Sequence, residues 1–251
     1  MARIVVLGSA NAIPTENHAN SHLAIVGRRE TVLVDCPAGV LRRIQGADLN
    51  LDSLSHLIIT HFHPDHAAGL APLLMTLWLL GRTKPLSIHG LSHSIDRARS
   101  MMSLFGWTEW PEMYRVDFNT IPGSENAVVL QTADLEIRAS PTRHMVPSIA
   151  LRVQTRSDGK LAVYSSDTEP CDEVVRLAQG ADVLIHEATG EGPGHSSASA
   201  AGQVAERAGV GRLFLIHYSS GGRSADAMLS DAASSFSGPV ELARDLMSIA
   251  L

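Results

Sequence analysis

Residues 56–66 read HLIITHFHPDH, an apolar run that leads into Thr60–His66, where three histidines and an aspartate share seven positions. The run predicts a strand over 57–60, and the period-two alternation of a strand puts His61 and His63 on one face of its end, where both can grip one ion. Pro64 stops the strand and suits the first turn of a helix, placing Asp65 and His66 where the chain reverses into AAGLAPLL. Neutral imidazole nitrogen and carboxylate oxygen suit zinc or a similar borderline divalent metal. One ion rarely needs four ligands from so short a loop, so two adjacent ions fit better, with Asp65 and His66 reaching the second. A solvent loop that merely happened to be rich in histidine would lack the strand before it and the apolar helix after it.

The rest of the chain sets this cluster in a large α/β domain. A length of 251 residues with 45% hydrophobic content suits one domain, residues 1–251, with a substantial core. Strands are predicted over 4–7, 23–26, 31–34, 57–60, 86–89, 128–131, 135–139, 150–154, 161–165, 183–186 and 213–217. Helices are predicted over 40–45, 67–80, 94–105, 172–179, 197–208 and 225–235. Strands bunched early and βα units late place sheets inside and helices outside. A formal net charge of −6 argues against a protein that coats nucleic acid and confines any RNA contact to one face. Two cysteines are too few for a disulfide framework, and the opening RIVVLG carries no signal-peptide pattern, so a reduced, cytoplasmic protein is expected. The most apolar window, residues 70–80, is too short to cross a bilayer and reads as a buried helix or a subunit contact. Catalytic patterns built on a G-x-S-x-G serine, a C-x-x-C pair or a Walker loop are absent.

The HxHxDH pattern of His61, His63, Asp65 and His66 resembles the metallo-β-lactamase superfamily. That resemblance implies an αββα sandwich, two mixed β-sheets flanked by helices, with two divalent ions at one edge. It also implies three more ligands, for which His144 in PTRHMVPS, Asp167 in YSSDTEP and His217 in LFLIHYSS stand at strand ends. By the family pattern His61, His63 and His144 would hold one ion, Asp65, His66 and His217 the other, and Asp167 would join them. Zinc is the expected metal, with manganese the alternative. Longer stretches at residues 7–21, 32–44, 166–189 and 194–219 look like ribonuclease Z, including HEAT at His186–Thr189 and GHSS at Gly194–Ser197. This likeness implies phosphodiester hydrolysis at a tRNA precursor 3′ end or on a simpler phosphodiester, and a homodimer. His195 would then assist at the scissile phosphate, Asp65 would handle the attacking water, and His186 and Glu187 would orient their neighbours.

The chain also departs from that family. Only 22 residues separate His144 from Asp167, leaving no room for the long arm that many ribonuclease Z enzymes use to grip tRNA. Lys84 and Lys160 are its only lysines, and Ala19 stands before Asn20 where arginine is usual. Phosphate grip is thereby weakened. Two other readings use the same fold: a dimetal hydrolase of a lactone, thioester or sulfate ester, and a binding module without catalysis.

Overall fold

In the computed structural model, which describes residues 2–251, two seven-stranded sheets stack face to face between layers of helices. In the first sheet β1 (Arg3–Gly8), β2 (His22–Val26) and β3 (Thr31–Val34) form an antiparallel meander. The parallel strands β4 (Leu54–Ile58), β5 (Leu86–Gly90) and β6 (Val116–Thr120) extend it on one side. The second sheet repeats the plan. Antiparallel β7 (Ala127–Gln131), β8 (Leu135–Pro141), β9 (Ile149–Thr155) and β10 (Leu161–Tyr164) are followed by parallel β11 (Val183–Glu187), β12 (Leu213–Ile216) and β13 (Val240–Leu242). The last strand, β14 (Ser248–Ala250), returns to the first sheet beside β1.

Strand alternation explains the layering. Ile4, Val6, Leu23, Ile25, Val32 and Val34 face the second sheet, while Val5, Leu7, Ala24 and Leu33 face the helices. Strands buried on both faces need nearly continuous apolar runs, which is what RIVVLG and TVLV supply. The helices α1 (Val40–Gly46), α2 (Pro64–Ala67), α3 (Leu70–Leu79) and α4 (Ser92–Leu104) belong to the first half, and α5 (Asp172–Ala178), α6 (Ala198–Ala208) and α7 (Ala225–Ala233) to the second. On α3, Leu70, Leu73, Leu74 and Leu77 are buried, each contributing roughly 2 kcal/mol by leaving water.

Four sequence expectations need correction. The strand expected over 57–60 is β4, three residues earlier at its start and ending at Ile58, so His61 and His63 lie in a loop beyond the sheet and owe their meeting to the turn rather than to strand alternation. The helix expected over 67–80 is two helices broken near Gly69, whose N–H donates to the Cys36 carbonyl at 2.8 Å. A Cβ on Gly69 would lie 2.1 Å from the Pro37 oxygen, so the backbone can pass only without a side chain. Gly69→Ala should therefore cost about 3 kcal/mol or more, read as a lower urea midpoint. Strands β6, β13 and β14 were not expected: VDFNT is half exposed on an edge, and VEL and SIA are three residues long. The helix expected from residue 94 begins at Ser92.

Candidate metal centre

The seven donors converge at one end of the sandwich. His61 and His63 follow β4, Pro64 opens α2 with Asp65 and His66 in its first turn, His144 lies between β8 and β9, Asp167 follows β10, and His217 follows β12. His61, His63 and His144 form one group with ligand atoms within 4.8 Å of one another, and Asp65, His66 and His217 form another. Between them stands buried Asp167. Its carboxylate oxygens lie 3.4 Å from His217 Nε2, 3.5 Å from His66 Nε2, 3.8 Å from His61 Nε2 and 4.0 Å from His144 Nε2. The Asp65 carboxylate lies 3.4 Å from His66 Nε2 and 3.5 Å from His217 Nε2.

The outer nitrogens of several rings are tied down, which fixes the face each turns inward. His66 Nδ1 donates to Asp35 Oδ2 at 2.9 Å, and His144 Nδ1 donates to the Gly194 carbonyl at 2.8 Å. His217 Nδ1 meets the Thr189 hydroxyl at 2.7 Å, and His61 Nδ1 meets that of Thr60 at 3.2 Å. Gly194 has φ +78°, and a Cβ there would come 2.7 Å from His144 Nδ1, so glycine alone lets the loop press on that ring. Asp35 and His217 directly after their strands, and Ser166 two residues past β10, adopt positive φ of 64°, 57° and 52°. Such strain persists only where surrounding contacts over-determine it. Asp35 shows those contacts: its Oδ1 also accepts from the Thr60 N–H at 2.8 Å.

His195 and Glu187 line the same mouth. His195 Nδ1 donates to Glu187 Oε1 at 2.9 Å, and that fully buried carboxylate also accepts from the N–H groups of Ser196, Thr168 and Thr189. Ser197, not His195, caps α6 by accepting from the Ala200 N–H. The His195 ring stacks on His217 with centroids 5.7 Å apart. His186 is buried in β11 with Nδ1 on the Glu187 carbonyl, and no direct contact to a donor is seen. Sequence reading missed Asp35 and Asp245. Asp245 Oδ1 accepts from the Ser9 N–H at 2.9 Å and its Oδ2 from the Ala19 N–H at 2.8 Å and from Arg43 Nη2 at 2.7 Å, holding the loop that borders the centre. A cavity of about 570 Å³ lined by His18, Tyr218, Arg223 and Arg244 opens beside His217.

The electrostatics ask for positive charge. Burial raises the Asp167 carboxyl, but the facing His217 and His66 outweigh it and hold that carboxyl well below its usual range. Burial alone would lower His66, yet Asp167 and Asp35 raise it well above the ordinary imidazole value. Burial, with His66 adding, drives His61 well below that value. The hydrogen bond to Glu187 raises His195 despite its partial burial. The donor set fits divalent ions on its own geometry: His61 Nε2, His66 Nε2, His217 Nε2 and Asp167 Oδ1 are buried polar atoms without a hydrogen-bond partner, all on the inner side of the cluster. Orphan buried nitrogens and oxygens at such spacing are costly unless a cation takes their lone pairs.

An αββα sandwich with a histidine and carboxylate cluster at its edge defines a metal-dependent hydrolase of the β-lactamase type. Residues 30–218 match the family described as Beta-lactamase superfamily domain, and the chain belongs to that family. It is 31% identical over 275 residues to a ribonuclease Z of Mycobacterium bovis, covering 98% of this chain and 97% of that one. With a ribonuclease Z of Porphyromonas gingivalis the identity is 29% over 301 residues, covering 98% of each. Among solved structures, the metallo-beta-lactamase fold protein YhfI from Bacillus subtilis superposes with a TM-score of 0.81 at 26% identity over 98% of each chain. The short form of human tRNase Z gives 0.80 at 26% identity, covering 100% of this chain and 99% of that one.

Proposed function

We propose that this chain, as one domain over residues 1–251, is a dinuclear-metal phosphodiesterase of ribonuclease Z type that acts on a precursor tRNA 3′ end or a simpler phosphodiester. The observation that carries this reading is the placement of Asp167 between two three-donor groups with His195 and Glu187 at their rim. His61, His63 and His144 would hold one ion, Asp65, His66 and His217 the other, with Asp167 shared. Zinc suits these nitrogen and oxygen donors, and manganese is the alternative. Two such ions would supply Lewis-acid polarisation of the phosphodiester and acidify an attacking water. Asp65 orients that water and accepts its proton. Glu187 fixes the His195 ring through Nδ1, which leaves Nε2 to donate a proton to the departing oxygen.

The RNA grip is thin. The interval between His144 and Asp167 is filled by β9, β10 and their turn, in place of an arm. Arg43 points inward to the Leu7 carbonyl and Asp245, and Lys160 pairs with Asp182. Processing of precursor tRNA should therefore be slow and fall steeply with added salt, while hydrolysis of bis(p-nitrophenyl) phosphate should be nearly salt-independent. Metal analysis followed by assays on bis(p-nitrophenyl) phosphate, precursor tRNA and a lactone panel tests the reading. About two ions per chain and phosphodiesterase activity lost on chelation are expected. Rapid lactone or thioester turnover with no phosphodiesterase activity in metal-replete protein would overturn it.

The proposed assembly is a homodimer joined through α3 and its C-cap, where Met75, Leu79 and the capping Leu80 are exposed beside the buried leucines. Sedimentation at micromolar concentration should show the dimer, and an active monomer would remove it. A cytoplasmic setting agrees with the two free, buried cysteines, and no helix among the described residues is long and apolar enough to cross a membrane.

A further inference from the structure

Outside the seven-donor centre, a second pair of imidazoles meets on the first sheet. Leu57 on β4 and Ile88 on β5 face the helices while Ile58 faces the second sheet, so His56 and His89 fall on that opposite side of β4 and β5. His56 Nδ1 lies 3.1 Å from His89 Nε2, with ring centroids 5.3 Å apart. Behind His56, its Nε2 lies 3.8 Å from Glu30 Oε2, whose side chain is largely buried where the chain enters β3.

Two imidazole nitrogens bound to one tetrahedral ion at about 2.0–2.1 Å stand roughly 3.3 Å apart. The same spacing occurs in the main centre, where His144 Nε2 lies 3.2 Å from His63 Nδ1. The Glu30 carboxylate stands behind His56 at ion-pair distance, on the side where an acid orients the outer nitrogen of a metal-bound histidine. We propose that His56 Nδ1 and His89 Nε2 form a third site, for a zinc-like divalent ion, with Glu30 positioning the His56 ring and water completing the coordination. Burial, helped by the neighbouring His56 ring, holds His89 down at about 4, and burial also lowers His56, so both rings are neutral at pH 7 as ligands must be. Binding requires that His56 carry its proton on Nε2 and His89 on Nδ1, which gives up the hydrogen bond that now links the two rings. No net proton is released. With two protein ligands the site is weaker than the main centre and fills after it.

The test is zinc alone. Wild-type chain equilibrated with excess zinc should hold about one ion more than His89→Gln or His56→Gln under the same conditions, and Glu30→Gln should bind that ion about tenfold more weakly. Excess zinc should raise the melting temperature of zinc-replete wild type by about 3 °C and leave that of His89→Gln unmoved. Hydrolysis of bis(p-nitrophenyl) phosphate should be the same in wild type and His89→Gln. Equal ion counts in wild type and a folded His89→Gln would overturn the proposal. Should His56→Gln fail to fold, the His89 and Glu30 variants answer the question. The difference between variants reads this site alone, whereas the total in wild type reads the main centre.

Discussion

Asp167→Ala should purify with little of the wild-type metal and lose roughly 10³-fold or more in kcat/KM on any phosphodiester, a deficit of several kcal/mol. The size follows from position. Among the described residues Asp167 is the one carboxylate within 4.0 Å of imidazoles drawn from both donor sets, so its removal leaves four facing nitrogens without a shared anion. On the proposed two-ion reading, neither half would then hold its ion at the spacing that the other half needs. Elemental analysis and kinetics on one preparation check this, with circular dichroism to establish that the fold persists. A metal-replete and fully active variant would remove Asp167 from its bridging role.

His195→Ala should separate two substrates that the metal centre alone would treat alike. An RNA leaving group departs as a poorly stabilised alkoxide and needs a proton, so loss of the donor should slow RNA cleavage by roughly 10²–10⁴-fold. The p-nitrophenolate of bis(p-nitrophenyl) phosphate departs without help, and that reaction should slow less than about tenfold. Equal losses on both substrates would instead mean that the ring holds the site together, as its stacking on His217 allows. Glu187→Gln should follow the His195 pattern in weaker form, because the Glu187 carboxylate accepts from His195 Nδ1 and would be expected to orient that ring.

Local patterns made the candidate metal donors legible. His61, His63, Asp65 and His66 sit within six residues, and His144, Asp167 and His217 each follow a strand that apolar composition marks clearly. Asp35 was missed because its role depends on Thr60 and His66, 25 and 31 residues away, and the sequence VDCP gives no sign of a left-handed backbone. Asp245 was missed for the same reason at greater range. Strand β6 escaped because an edge strand covered on one face carries polar residues where a central strand carries valine. The break at Gly69 escaped because its cause is the Pro37 carbonyl, a neighbour only after folding.

The clamp at Asp245 has a consequence for how the chain is made. Ser9 leaves the ribosome 236 residues before its carboxylate partner, an interval of roughly ten to fifty seconds at ordinary elongation rates. Through that interval the loop of residues 9–19 has only its own internal hydrogen bonds and lacks this clamp, and the β1 edge that β14 later covers stays open. The first four histidine and aspartate donors are also exposed long before Asp167 and His217 exist to complete their pocket. A nascent chain in this condition offers both a free strand edge and an unfinished chelator, so its vulnerability to aggregation and to mismetallation is greatest just before synthesis ends.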